Sequence, residues 1–184
     1  MRHPMPRFLA ILASLAFLAF FAGCSTVDVG RAPQLDANAQ WAVLPFANHT
    51  ETPQAGLRAE AIAENLLRAE GAATLKRYPA GIATETLFEP GERKTQEAAL
   101  AWARKAGVRY ALTGSVDEWR YKVGVDGEPA AGVTLQVLDV ASGDVLWAAT
   151  GARTGWSREA LSAVAQQLIR KLLGPILALP RKAA

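Results

Sequence analysis

The sequence predicts a mixed α/β domain, one β-sheet flanked by helices, and three observations carry that prediction. Beyond residue 40, short runs rich in β-formers first alternate with two amphipathic helical stretches; three such runs then follow one another, two of them joined by a hairpin signal; a last amphipathic stretch closes the chain. Alternation followed by a meander is the pattern of a mixed sheet with helices packed on it. The expected order is strand, helix, strand, helix, three strands, helix.

Trp41 opens the fold. Residues 42–46, AVLPF, are a short apolar run that reads as a buried strand ending near Pro45, because proline brings no N–H to a ladder. Residues 48–52 are the loop after it, and Thr52 before Pro53 is expected to cap a helix with proline in its first turn. Ala59, Ile62, Ala63, Leu66 and Leu67 recur at helical spacing, with Arg58, Glu60, Glu64 and Arg68 on the other side, and Gly71 ends the helix. Residues 73–78 are a candidate second strand, and 79–94, containing Gly81, Pro90 and Gly91, a loop. From Thr95 a second helix is expected to carry Ala98, Leu100, Ala101, Trp102 and Ala106 and to stop at Gly107. Residues 108–121, 133–140 and 145–150 are rich in β-formers, with Ala141, Ser142, Gly143 and Asp144 as a tight hairpin loop. The last helix is expected to start at a Ser157 cap, to bury Leu161, Val164, Ala165, Leu168 and Leu172 with Arg158, Ser162, Gln166 and Arg170 outward, and to break or kink at Gly174-Pro175.

Arg2, His3 and Arg7 lead into an apolar run, Phe8 to Phe21, that ends in Ala22 and Gly23, the layout of a secretory signal. A spanning helix needs roughly 20 apolar residues, and this run is shorter. Phe21-Ala22-Gly23-Cys24 resembles the lipobox of bacterial lipoproteins, in which the cysteine becomes the acylated first residue. A lone cysteine is ordinarily a small buried hydrophobe, but Cys24, the only one here, stands directly behind a cleavable segment, so it reads as a lipid attachment point carrying palmitate-like chains. At about 0.8 kcal/mol per buried CH₂, several chains on one residue hold a domain stably at a bilayer. Ser25 follows, not aspartate; by the sorting rule of such lipoproteins this implies the periplasmic face of the outer membrane, in its inner leaflet. The expected divisions are a signal peptide at 1–23, a lipidated tether at 24–39 and a single α/β domain at 40–184.

Lys and Arg number 20 against 17 Asp and Glu; removing Arg2 and Arg7 leaves 18 against 17, so the mature chain is nearly neutral. No basic stripe with interleaved aromatics occurs, and nucleic acid is not an expected partner. Roughly 160 mature residues suit one domain. His49 is the only histidine of that domain, so neither a multi-histidine metal site nor a cofactor site is expected, and without a G-x-S-x-G elbow a serine triad on His49 has no support. The bland reading of His49 is a loop side chain that hydrogen-bonds near the first helix.

Asp117, Glu118, Asp126 and Glu128 gather on or near one predicted hairpin. Three readings stay open for them: turn chemistry, with Asp126-Gly127 as a turn pair; binding of a cationic ligand; or a glycosidase-type carboxylate pair. Gly124, Gly127 and Gly132 do not lead from a strand into a helix, so they read as turn residues and not a phosphate cradle. Trp156, in a loop before a helix, divides between contact surface and core filler, whereas Trp102, Trp119 and Trp147 read as core.

The stretches WAVLPFANHTETPQAG at 41–56, GSVDEWRYK at 114–122, GEPA at 127–130 and Gly155-Trp156 resemble the PelC family of outer-membrane lipoproteins of Pel exopolysaccharide export, and the likeness runs from the lipobox to the last helix. That resemblance implies a fold similar to the CsgG periplasmic domain and the TolB N-terminal domain. It implies a non-enzymatic component that forms a ring of twelve beneath the outer membrane, works with a PelB-like outer-membrane β-barrel, and serves biofilm matrix formation. By the same likeness Asp126 matches an acid lining the ring's funnel, with Glu128 and Asp117 as rivals for that role, and Trp156 matches an aromatic of the membrane interface. A repeated carboxylate would make a field that steers a cationic polysaccharide. Two other classes stand beside this one: a lipoprotein regulator of a peptidoglycan synthase, LpoB-like, which expects a long tether where this one reaches at most roughly 50 Å, and a carbohydrate-active enzyme using Asp117 and Asp126.

Overall fold

The structure, a computed structural model, describes residues 25–31, 34–72, 74–79, 92–124 and 127–180. Its elements run β1 (Ser25–Val29), β2 (Trp41–Asn48), α1 (Ala55–Ala69), β3 (Lys76–Arg77), α2 (Glu92–Lys105), β4 (Tyr110–Tyr121), β5 (Pro129–Asp139), β6 (Val145–Thr154) and α3 (Leu161–Leu177). They build one mixed sheet in the order β1-β6-β5-β4-β2-β3, parallel where β2 meets β3 and β4, antiparallel elsewhere. The α/β class and the expected order hold, with β1 added at the front.

That strand is a correction. Residues 25–29, read as tether, pair along β6 from Ser25 opposite Arg153 to Val29 opposite Ala149. STVDV carries little apolar bulk because β1 is an exposed edge strand held mainly by its backbone. Gly30 extends the hold: its N–H donates to Ala148 O at 3.0 Å, and its carbonyl accepts the Trp147 indole N–H at 3.2 Å.

Adjacent residues of β2 divide between two cores, as strand alternation requires. Trp41 and Val43 join Leu112, Val133, Leu135, Leu168 and Leu172 under α1 and α3, whereas Ala42 and Leu44 join Ala99, Ala103, Ala111 and Val140 under α2. Pro45 does not end the strand. A register shift between Val43 and Phe46 absorbs it, which returns Phe46 to the α1/α3 core and frees the Pro45 carbonyl to accept Gln96 Nε2 and Thr113 Oγ1, both at 2.9 Å. β3 pairs only with Ala42 and Val43, so among the described residues no strand neighbour on that side asks Pro45 for an N–H.

The glycine stops are as expected. Gly71 (φ 89°) and Gly107 (φ 69°) each close a doubly bonded C-terminal turn, Gly71 N to Arg68 O with Ala72 N to Leu67 O, and Gly107 N to Arg104 O with Val108 N to Ala103 O. The starts differ. α1 begins at Ala55 after Gln54 in a left-handed conformation, and α3 begins at Leu161 after an extended Ala160, neither with a side-chain cap. Thr52 instead turns its hydroxyl to Trp119 O, tying the loop to β4. α2 buries Ala99 and Ala103, leaving Ala98 and Ala101 exposed. Pro175 lies inside α3, which continues to Leu177. The expected loop at 79–94 falls largely outside the described residues, as does Ala73 of the expected second strand.

Candidate functional site on the open face of the sheet

On its face of the sheet α2 packs chiefly on β2, reaching Ala111 of β4, and among the described residues nothing covers the rest of that face toward β6 and β1. A groove of about 380 Å³ lies there, lined by Thr26, Asp28, Asp117, Glu118, Gly132, Thr150, Gly151 and Ala152. Its acids come together through a β-bulge. The pairing steps from Val116 opposite Val133 to Glu118 opposite Gly132, so β4 spends one residue more than β5. Regular alternation would send Asp117 and Glu118 to opposite faces; with the extra residue Val116 and Trp119 both enter the α1/α3 core, and both carboxylates line the groove. Gly132 makes room: a Cβ there would stand 3.2 Å from Glu118 Cβ.

Asp117 is the hub. Its Oδ1 lies 2.9 Å from His49 Nδ1 and accepts from Ser115 Oγ at 3.1 Å; its Oδ2 accepts from Thr134 Oγ1 at 3.1 Å. Because Thr134 has one hydroxyl proton, the 2.9 Å contact between Thr134 and Thr150 is donated by Thr150. The row Asp28, Thr150, Thr134 and Ser115 thus crosses β1, β6, β5 and β4 in register, hydroxyl next to hydroxyl, with a carboxylate on β1 and the Asp117 carboxylate beside its β4 end. Glu118 pairs with Arg120 at 3.1 Å. Such a surface presents negative charge and hydrogen-bonding oxygens to a polyhydroxylated or cationic ligand.

Of the acids singled out from sequence, Asp117 and Glu118 are in this groove. Glu128 is exposed in the β4–β5 connection, its carbonyl accepting Lys122 N–H at 2.7 Å. Trp156 is 53% exposed in the turn between β6 and α3, its backbone N–H donating to Glu159 Oε2 at 3.3 Å. Trp119 and Trp147 are core, and Trp102 is half-buried against Tyr78. Asp126 and Cys24 lie outside the described residues. Asp28 was missed because its segment read as tether. Only the exposed Thr and Asp at alternate positions of STVDV signalled a strand edge.

One buried carboxyl lies elsewhere. Glu60 on α1 is pushed up from the ordinary glutamate range by burial; an ion pair with Arg77 Nε at 2.9 Å and a backbone hydrogen bond at Phe46 oppose that push, and nearby Glu64 adds to it. Among the described residues no group of three or more His, Cys, Asp or Glu is arranged to hold a metal ion, and no helix is long and apolar enough to cross a membrane.

Fold and open face together define a mixed α/β domain of a kind seen in bacterial lipoproteins: the lipoprotein GNA1162 from Neisseria meningitidis matches it with TM-score 0.51 at 16% identity, over 75% of this chain and 97% of that one, a likeness of fold. A PelC dodecamer from Paraburkholderia phytofirmans is similar at 47% identity and TM-score 0.72, over 85% of this chain and all of that one; a variant of that dodecamer with one leucine replaced by methionine is similar at 47% and 0.70, over 84% and 99%. The chain belongs to the PelC family. No protein-family model matches it, nor does any curated protein sequence.

Proposed function

We propose that this protein is a non-enzymatic outer-membrane lipoprotein, anchored through acylated Cys24 in the inner leaflet, which assembles into a periplasmic ring and guides cationic Pel exopolysaccharide toward a PelB-like export barrel, contributing to biofilm matrix. The carrying observation is the 47% identity over the full length of a PelC that is a dodecamer. Acids on one face support it: when a head-to-tail contact closes a ring, one carboxylate per subunit becomes a belt, and a belt concentrates a polycation without gripping it. Asp126 is the first choice for the narrowest belt, with Glu128 and Asp117 flanking it, and exposed Trp156 suits a headgroup layer. A synthase regulator needs a chain that reaches far from the bilayer, and here strand pairing starts at the residue after Cys24, which disfavours that reading.

The test is Asp126→Ala in an exporting cell. Secreted polymer is expected to fall while folding, oligomer mass and polymer chain length stay unchanged. Wild-type secretion would end the steering account, and lost polymer cleavage would turn the reading toward an enzyme. For Trp156→Ala, vesicle binding of the assembled protein is expected to weaken; equal binding by both proteins would remove the indole from the membrane contact.

A further inference from the structure

The β1–β6 register has a geometric consequence for the lipid. Ser25, one peptide bond and about 3.8 Å of Cα spacing from Cys24, sits opposite Arg153, which sits opposite Ala131, which sits opposite Trp119. All four mark the same end of the sheet. Just beyond them come Tyr121, the last residue of β4, Val123 after it and Trp156 after β6, all exposed. Gly155 N–H donates to Pro129 O at 2.8 Å, and the Tyr121 hydroxyl accepts Leu161 N–H at 3.1 Å, so the β6–α3 turn is tied to the start of β5 and the end of β4 to the start of α3. From β1 to β4 is three strand spacings, roughly 15 Å. Exposure alone does not choose this end, because Val145 and Leu146 are exposed at the other. The strand register chooses.

We infer that β1 is a clasp: by pairing with β6 it fixes the lipid-bearing N-terminus at the Tyr121, Val123 and Trp156 end, so that this end, Val123 included, seats on a phospholipid bilayer in one orientation. The inference rests on the reading of Cys24 as acylated. A free tether of residues 24–39 would let the domain hang at any angle. The clasp removes that freedom, and it is held by Val27 packed on the core and by the Gly30 contacts with Ala148 and Trp147. Gly151 leaves space for it, since a Cβ there would stand 2.9 Å from Thr26 O. Val145 lies eight residues back along β6 from Arg153, roughly 27 Å from the seated end.

The experiment uses the full acylated chain in phosphatidylethanolamine–phosphatidylglycerol vesicles. Acylation occupies Cys24, so Val123→Cys and Val145→Cys each present the single free thiol for an NBD label. Label at 123 is expected to brighten several-fold and shift to the blue on vesicles, and label at 145 to stay as in water. A Gly/Ser insert of about a dozen residues between Cys24 and Ser25, starting with serine, adds a reach of roughly 20 Å; it is expected to lower the signal at 123 while co-sedimentation with vesicles persists. Gly151→Val, which displaces Thr26, is expected to act likewise. Equal signals at 123 and 145, or a signal at 123 indifferent to the insert, would overturn the clasp with the lipoprotein reading intact. A chain whose mass carries no acyl groups would overturn both.

Discussion

Asp117 and Glu118 illustrate how one extra residue in a strand makes a site. Neither their identity nor their spacing says that they share a face; the bulge opposite Gly132 does. Glycine is required there by contact, because a side chain would meet the Glu118 backbone N at 3.3 Å as well as its Cβ. Gly132→Val is therefore expected to cost about 1–3 kcal/mol, measured by urea unfolding, and to displace Glu118 from the groove. Glu60 yields a second residue-scale expectation. Its folded carboxyl titrates above the ordinary glutamate value of 4.5, so between the unfolded and folded values the native state holds the extra proton. Stability from this group is full below the unfolded value and declines as pH rises through the folded one. Unfolding free energies measured from about pH 4 upward should show that decline in the wild type, and Glu60→Gln should flatten it. A variant with the same slope would remove Glu60 as the cause.

At the scale of elements, what the sequence made legible is what depends on local chemistry. The glycine after each of α1 and α2 was readable because a left-handed residue is required there whatever packs nearby, and both turns carry the paired hydrogen bonds. Gly107→Ala isolates that requirement, since a Cβ at this position meets nothing within 4 Å. The expected cost is about 1 kcal/mol, or a fall in Tm of roughly 2–4 °C; an unchanged Tm would mean the turn is not strained. Features that depend on distant partners were not legible. Thr52 resembles a cap but spends its hydroxyl on Trp119 O, 67 residues away. α2 has alanines on several faces, so its buried stripe of Ala99 and Ala103 is chosen by the strand beneath it and not by hydrophobic period. β1 has only the half-buried Val27 to announce it, and Asp28 goes unnoticed with it. Asp117 was singled out from sequence, yet its partners His49 and Thr134 lie 68 and 17 residues away, so its network waited on the sheet.

For the whole molecule, a nearly neutral mature chain is compatible with charge-guided transport only if the charges are segregated. Asp28, Asp117 and Glu118 on one open face, with Arg120 paired to Glu118, are such a segregation. In the proposed ring this local excess would repeat in every subunit, and a polycation would feel the sum while each contact stayed weak enough to let it slide. Attraction of this origin is screened: the Debye length shrinks from about 10 Å at 0.1 M salt to about 3 Å at 1 M. Binding of fluorescent, partly deacetylated chitosan oligosaccharide to the assembled protein should therefore fall steeply between those concentrations, and fall further in Asp117→Asn and Asp126→Asn. Neutral, fully acetylated oligomers of the same length should bind weakly at both. If the cationic oligomer held equally well in about 1 M salt, where screening is nearly complete, its contacts would be short-range hydrogen bonds to the Thr150, Thr134 and Ser115 row, and the open face would be a gripping site in place of a guiding one.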